Sequence, residues 1–279
     1  MTKYNIELFR CTQSDLSDTR IKFIKGQAVE ILQSQYPIFN PLGLKRYKKD
    51  RYLEKNSKNN DENVENIDKN VENVDAQYYV NNSALRRARR NVYDLCACND
   101  DLEYFITLTL DKELIDRYDY SIIIKKLNTW LDNAVRRKGL KYVLVPEQHK
   151  DGAYHFHGLI NDCFKLIDSG KTVNSCDEVK PIYNIPEWKY GFTTAIHISG
   201  NRDNVCKYIT KYITKQSNIK KIAGRYYYHG GALVLPEYFY YNSYYEDLTA
   251  ENVIKSYEFS PDGVNNTFRC YKLKGDDNA

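Results

Sequence analysis

Two short stretches of this chain hold side chains whose types and spacing suit chemistry on a phosphate ester. The first, HFHG at residues 155–158, places two imidazoles two residues apart. The second, YITKYITK at residues 208–215, repeats a tyrosine and a lysine at an interval of four. Imidazoles bind divalent cations, and a tyrosine hydroxyl becomes a usable nucleophile beside a base or a cation. Together the stretches predict metal-assisted transfer of a phosphoryl group to tyrosine.

A predicted β-hairpin brings a carboxylate to the two imidazoles. Strands over KYVLVPEQH (141–149) and AYHFHGLI (153–160) are joined by a three-residue loop in which Gly152 supplies a left-handed conformation. This loop sets Glu147 opposite His155, and strand alternation then places Glu147, His155 and His157 on one face. The set predicts a catalytic site for Mn²⁺ or Mg²⁺, with Zn²⁺ or Co²⁺ as alternatives.

Two other interpretations of the hairpin stay open. An H-x-H pair on a strand is often only polar surface, and a register shift of one residue would move Glu147 to the other face. His149 is a spare candidate ligand on the same face, whereas His197 and His229 have no partner that the sequence identifies.

A predicted helix over 202–216 positions the tyrosines and lysines. Residues four apart share a helix face, so Tyr208 lies beside Tyr212, and Lys207, Lys211 and Lys215 form a neighbouring stripe. Lys211 and Lys215 are placed to activate the hydroxyls, and two tyrosines allow two successive transesterifications. The alternative is a pair of tyrosines at the edge of the core beside a solvated row of lysines.

The remaining elements predict an α+β fold, a central antiparallel sheet with helices packed on it. A helix over 119–139 has Asp119 or Ser121 as its N-cap and Gly139 at its end. Further strands are expected over 104–110, 192–199 and 225–236, and a further helix over 84–95.

Composition divides the chain into four parts. Residues 1–53 read as a small N-terminal extension, and residues 54–77 as a disordered, low-complexity linker with too few large apolar side chains to offset the entropy of ordering. A catalytic domain over 84–236 and a Tyr-rich C-terminal extension over 237–279 follow. The formal net charge is +4, and the linker is acidic, so the rest of the chain is basic enough to suit a polyanionic partner.

The basic side chains and the cysteines indicate which class of partner and which cellular compartment to expect. Four exposed-looking arginines, Arg86, Arg87, Arg89 and Arg90, lie on the first predicted helix, where they form either a solvated face or a contact with DNA phosphates. Lys207 is a further candidate for DNA contact. The seven cysteines include no C-x-x-C pair, and the chain has no apolar run of membrane-spanning length and no signal peptide, so we expect a cytoplasmic protein without a membrane partner.

Three blocks in order resemble motifs of the HUH endonuclease superfamily, in particular the two-tyrosine rolling-circle replication initiators of phages and plasmids, such as those of Gram-positive bacteria. FITLTLD (105–111) is similar to the first motif, HFHGLI (155–160) to the metal motif, and YITKYITK to the nucleophile motif. The resemblance extends over about residues 84–235, and it implies a ferredoxin-like HUH domain there.

The resemblance also implies roles for individual residues. His155 and His157 match the metal pair, Glu147 a third ligand, Tyr208 and Tyr212 the nucleophiles, and Lys211 and Lys215 the lysines that follow them. It implies nicking of single-stranded DNA at a replication origin, with a 5′-phosphotyrosine adduct and a free 3′-hydroxyl. Because no Walker-type loop is present, a host helicase and a host DNA polymerase are the expected partners.

Rival functions share parts of this pattern. A relaxase or a single-strand transposase uses the same metal and tyrosine motifs. A non-catalytic single-stranded DNA-binding protein would stack the tyrosines on bases, and a zinc hydrolase would need no tyrosine. If Tyr208 attacks first, replacing Tyr212 by Phe leaves nicking intact and impairs strand closure.

Overall fold

The computed structural model describes residues 16–39, 69–175, 178–214, 225–242, 253–260 and 265–274 of the 279-residue chain. The chain divides into two compact units, one of residues 69–235 and the other of residues 1–68 with 236–279. The described residues form three helices and twelve strands, and both sheets are antiparallel, which confirms the predicted α+β class.

The helices and strands follow one another along the chain in a mixed order. They are β1 (Thr19–Ile24), β2 (Gln27–Ser34), α1 (Lys69–Cys98), β3 (Tyr104–Thr109), α2 (Tyr120–Lys138), β4 (Tyr142–Gln148), β5 (Tyr154–Ile160), β6 (Ile167–Ser175), β7 (Glu178–Asn184), β8 (Thr193–His197), α3 (Arg202–Thr214), β9 (Tyr228–Gly230), β10 (Glu237–Tyr241), β11 (Val253–Phe259) and β12 (Phe268–Leu273).

The unit of residues 69–235 is a seven-stranded sheet, in the order β6-β7-β8-β3-β5-β4-β9, with helices on both faces. Side chains of α2 such as Leu127 and Leu131 are buried against Leu144 and Phe156 on one face. On the other face, apolar residues of α1 and α3 pack on alternate residues of β4 and β5, and these are Val92, Leu95, Cys206, Ile209 and Ile213 against Val143, Val145 and Leu159. The alternation of these strands therefore builds two cores on one sheet.

The predicted helix caps and hairpin register are confirmed. Asp119 caps α2, because its carboxylate accepts hydrogen bonds from the backbone amides of Ser121 and Ile122. In the β4–β5 hairpin, Glu147 pairs with His155. Gly152 has a positive φ of 91°, and its amide donates to the carbonyl of His149. Glu147, His155 and His157 therefore share a sheet face.

Several boundaries differ from the prediction. The helix α1 begins at Lys69 and so includes residues 69–77, which the composition assigned to the linker, while residues 54–68 lie outside the described residues. The strand predicted over 225–236 is β9 in the structure, and it is only three residues long. The hairpin β6–β7 was not predicted, because both of its strands are largely exposed and lack the alternation of apolar residues that marks a half-buried strand.

The other unit contains a five-stranded sheet in the order β10-β1-β2-β12-β11. Strands from both ends of the chain thus pair with each other, as β1 pairs with β10 and β2 with β12. Its small core includes Ile21, Ile31 and Tyr271. The two segments that composition assigned to separate extensions therefore contribute to one unit.

Among the described residues, no helix has the length and apolar character needed to cross a membrane.

Candidate active site

The site lies on the sheet face that α1 and α3 cover in part. Adjacent strands align its residues in two rows: Glu147, His155 and Thr109 occupy one, and Val145, His157 and Thr107 occupy the next. Directly paired residues of antiparallel strands point to the same side, so the imidazoles stand between the carboxylate of β4 and the hydroxyls of β3.

Two histidine rings of the site are tied to Glu147. Nε2 of His157 lies 2.7 Å from Oε2 of Glu147, and Nε2 of His149 lies 3.9 Å from the same oxygen. The rings of His149 and His155 stack in parallel with their centroids 3.8 Å apart. His149, the spare candidate, is therefore part of the cluster. His197 and His229 instead contact the tyrosine rings of Tyr104 and Tyr227.

Two threonine hydroxyls of β3 lie next to the Nδ1 atoms of the imidazoles. Oγ1 of Thr107 is 3.1 Å from Nδ1 of His157, and Oγ1 of Thr109 is 3.4 Å from Nδ1 of His155. In a neutral His157 ring, Nε2–H donates to Glu147 and Nδ1 accepts from the hydroxyl of Thr107. If Nε2 bound a cation instead, the proton would move to Nδ1, which would then donate to the hydroxyl and so orient the ring. The sequence analysis missed these threonines, although T-L-T at 107–109 has the same two-residue spacing as H-F-H.

Burial and like charges keep His155 neutral. Desolvation, followed by repulsion from His149 and His157, lowers the pKa of His155 to about 4, and this outweighs the opposite effect of Glu147 and Asp151. At neutral pH the ring is thus uncharged, which is the form that binds metal ions.

The helix α3 brings the tyrosines to this cluster because its apolar side is buried on the sheet. Cys206, Ile209 and Ile213 are almost fully buried. Arg202 is the first residue of α3. Its guanidinium donates hydrogen bonds to backbone carbonyls at and just after the C-terminal end of α1, including those of Cys96 and Asp100. The sequence analysis did not identify this anchor.

Tyr212 contacts the cluster directly, and Tyr208 is joined to it through Tyr212. The ring of Tyr212 stacks on the ring of His157, with centroids 4.1 Å apart and planes inclined by 16°. The hydroxyl of Tyr212 donates to the hydroxyl of Tyr208 at 2.8 Å. Phe105 packs between these rings, with its centroid 5.7 Å from that of Tyr208 and 6.3 Å from that of His157.

The two tyrosines occupy different environments. Tyr212 is 6% exposed and Tyr208 is 45% exposed. Burial, the hydrogen bond to Tyr208 and the nearby charge of Glu147 raise the pKa of Tyr212. Nζ of Lys211 lies 5.8 Å from the ring centroid of Tyr208. Tyr208 is thus the more exposed tyrosine, it has a cation near its ring, and its hydroxyl accepts the hydrogen bond from Tyr212.

The remaining predicted contacts lie away from this cluster. Lys207 forms an ion pair with Asp203 one turn earlier in α3, and Asp203 also accepts a hydrogen bond from Tyr93 of α1. Lys215 lies outside the described residues. The four arginines are exposed on α1 around the buried Ala88, and these are Arg86, Arg87, Arg89 and Arg90.

The side chains of the cluster bond to and stack on one another. Among the described residues, no three His, Cys, Asp or Glu side chains form a ready-made metal site, because Nε2 of His157 is hydrogen bonded to Glu147 and the ring of His155 packs on His149. The donor chemistry nevertheless suits a divalent cation, since imidazole nitrogens and a carboxylate oxygen converge from adjacent rigid strands.

Comparison with known proteins gives one match. No curated protein and no solved structure matches the chain. Residues 103–217, which include β3, the hairpin and α3, match the model of a family of replication-associated proteins, the ORF2 family. This similarity covers every residue of the tyrosine, histidine and glutamate cluster, and it supports a replication initiator that acts on DNA.

Proposed function

We propose that this protein is a rolling-circle replication initiator that nicks single-stranded origin DNA by tyrosine attack and then transfers the strand. The observation that carries the proposal is the contact of Tyr212 with the histidine and glutamate cluster, to which Tyr208 is joined by its hydrogen bond with Tyr212. Tyr212 stacks on His157 and its hydroxyl bonds to that of Tyr208, so the two hydroxyls lie together beside the residues that would hold the phosphate. A tyrosine pair that served only to fill the core would not need one ring almost half exposed.

Tyr208 is the proposed first nucleophile. It is the more exposed tyrosine, Lys211 is near its ring, and the hydroxyl of Tyr212 donates to it. Burial, the hydrogen bond to Tyr208 and the charge of Glu147 raise the pKa of Tyr212, which makes Tyr212 the harder hydroxyl to ionise. Lys215 would serve the second tyrosine as Lys211 serves the first.

The nicking step conserves phosphodiester bonds. The phenolic oxygen of Tyr208 attacks the phosphorus, the new bond joins tyrosine to the 5′ phosphate, and the bond from phosphorus to the 3′ oxygen breaks. The proton lost by the tyrosine balances the one gained by the 3′ oxygen, which leaves as a hydroxyl. Attack by Tyr212 on a second phosphate would release a new 3′-hydroxyl, and attack of that hydroxyl on the first adduct would join the ends of the released strand and free Tyr208.

His155, His157 and Glu147 are the residues that would hold a divalent cation, Mn²⁺ or Mg²⁺, and His149 is next to them. A cation at these residues withdraws charge from the oxygens of the scissile phosphate. A cation held there would take the place of the Nε2 proton of His157, and the hydroxyls of Thr107 and Thr109 would then accept hydrogen bonds from the Nδ1–H groups of His157 and His155.

The exposed arginines of α1 would contact phosphates of the DNA on either side of the nick, and a host helicase and a host polymerase would extend the free 3′ end. The proposed setting is the bacterial cytoplasm. A relaxase or a single-strand transposase would share the nicking step, and it would differ in the DNA that it joins.

Formation of a covalent adduct tests this function. Purified protein is incubated with Mn²⁺ and single-stranded DNA that carries the origin of its own replicon, and the products are separated on denaturing gels. We expect a slow-migrating adduct that disappears in Tyr208→Phe and His157→Ala, and that persists in the matched control Tyr118→Phe, whose ring is also exposed. No adduct, together with DNA binding that is unchanged by EDTA, would leave a non-catalytic DNA-binding protein.

A further inference from the structure

One large aromatic side chain stands exposed on the same sheet face as the active site. Phe192 is 67% exposed, and its ring makes no aromatic contact among the described residues. It lies just before β8, outside the residues that the sequence motifs identified.

The backbone hydrogen bonds fix the direction of this side chain. The amide of Thr109 donates to the carbonyl of Phe192 at 2.8 Å, and the amide of Phe192 donates back at 3.1 Å. Such a reciprocal pair marks two residues directly opposite each other in an antiparallel ladder, with side chains on one face. Because Thr109 also pairs with His155, the row Glu147, His155 and Thr109 ends at Phe192.

The exposed ring is held by a rigid backbone. Gly191 has a φ of 150°, and a Cβ at this position would lie 2.3 Å from the carbonyl oxygen of Thr109, so only glycine allows this approach of the two strands. The indole nitrogen of Trp188 donates to that same oxygen at 3.2 Å. A Phe side chain exposed on a fixed backbone loses little freedom when a flat ligand stacks on it.

We propose that Phe192 is the stacking platform for a nucleobase that flanks the scissile phosphate. Adjacent strands are about 4.8 Å apart, so Phe192 is about 10 Å from His155 along the row. Because a stacked strand rises by about 3.4 Å per nucleotide along its axis, this distance corresponds to about three nucleotides at most. The inference rests on the proposed function, since it takes single-stranded DNA at the histidine cluster as the ligand.

Stacking on an aromatic ring tolerates any base, because every base has a π face. The site therefore takes single-stranded nucleic acid as a chemical class, and base identity would be read elsewhere. Thr194, which pairs with Thr107 in the next row, shares this face with Phe192.

Binding of a fluorescein-labelled oligothymidylate, measured by anisotropy in EDTA, tests the platform without any cleavage. We expect Phe192→Ala to weaken binding by about fivefold or more, the effect of losing one base–aromatic stack. Phe192→Trp should bind within about twofold of the wild type. The matched control is Val179→Ala, because Val179 is 68% exposed and belongs to the same unit. It lies on β7 beside Glu178, which accepts a hydrogen bond from Ser199, so it is at the end of β8 opposite Phe192. It should leave the affinity unchanged.

Contact is tested separately by cross-linking the same oligothymidylate with one 5-iodouracil and sequencing the cross-linked peptide, which should contain Phe192. Equal affinities of wild type and Phe192→Ala, or no binding by the wild type, would overturn the proposal and leave Phe192 to a protein partner. The two proposals fail differently. If wild type and Phe192→Ala bind equally while the wild type still forms the origin adduct, the platform alone is refuted. If the wild type forms no adduct, the proposed function is refuted, and weaker binding by Phe192→Ala would still support stacking of single-stranded DNA on Phe192.

Discussion

Removal of the Thr107 hydroxyl should weaken divalent metal binding more than any other change outside the proposed ligands. In Thr107→Val the shape of the side chain is kept, but Nδ1 of His157, 3.1 Å from the hydroxyl, loses its partner. His157 is 8% exposed, so water replaces that partner poorly. An unsatisfied buried donor costs about 1–3 kcal/mol, and loss of a residue that orients a metal-binding histidine costs about 10- to 100-fold in affinity.

The energy of about 1–3 kcal/mol and the affinity loss of about 10- to 100-fold agree, since about 1.4 kcal/mol corresponds to a tenfold change in affinity. We therefore expect Thr107→Val to raise the Kd for Mn²⁺ by about 10- to 100-fold in isothermal titration calorimetry. Thr109→Val should have a smaller effect, because 3.4 Å is near the limit of a hydrogen bond. Thr107→Ser keeps the hydroxyl and should restore most of the affinity.

The matched control is Thr172→Val on β6, where the threonine is exposed. It should leave both the Kd and the thermal midpoint unchanged. A Kd for Thr107→Val within about twofold of the wild type, in a variant with a native circular dichroism spectrum, would refute the role given to the β3 hydroxyls. The site would then be oriented by the hairpin alone.

Three further results follow from the geometry. Tyr212→Phe should still nick origin DNA but fail to release closed circles on a denaturing gel, and loss of nicking itself would contradict the assigned order. The pKa of His155 is lowered to about 4 in the folded protein and is about 6.5 in the unfolded chain. Between these two pH values the unfolded chain binds one more proton than the folded protein. The free energy of unfolding measured in urea should therefore fall as the pH drops from about 6.5 to about 4. His155→Gln should remove that part of the slope, and equal slopes would disprove this. Gly158→Ala should lower the thermal midpoint by roughly 3 to 10 °C, since its Cβ would lie 2.1 Å from the carbonyl oxygen of Val143, and an unchanged midpoint would contradict the close strand contact.

The sequence predicted the parts of the site that depend on local geometry. A three-residue loop determines the register of its own hairpin, so Glu147 opposite His155 follows without knowledge of the rest of the fold. Helical periodicity likewise places Tyr208 beside Tyr212.

Contacts between distant segments were beyond such reasoning. The pairing of β3 with β5 places the hydroxyls of Thr107 and Thr109 next to His157 and His155. No local sequence pattern specifies which strands become neighbours. Pairing of β1 with β10 joins residues more than two hundred positions apart for the same reason. The ion pair of Lys207 with Asp203 follows a helical spacing that the sequence contains, but the lysine was assigned to DNA instead.

The site of covalent attachment tests the central claim most directly. Trypsin is unsuitable, because cleavage after each lysine releases the same peptide, YITK, from residues 208–211 and 212–215. The adduct formed with origin DNA and Mn²⁺ should therefore be trimmed with nuclease, cut before Asp203 by an Asp-specific protease and fragmented in a mass spectrometer. We predict a nucleotide phosphate on Tyr208. Attachment to a residue other than Tyr208 or Tyr212, or no adduct with DNA that the protein binds, would contradict the account.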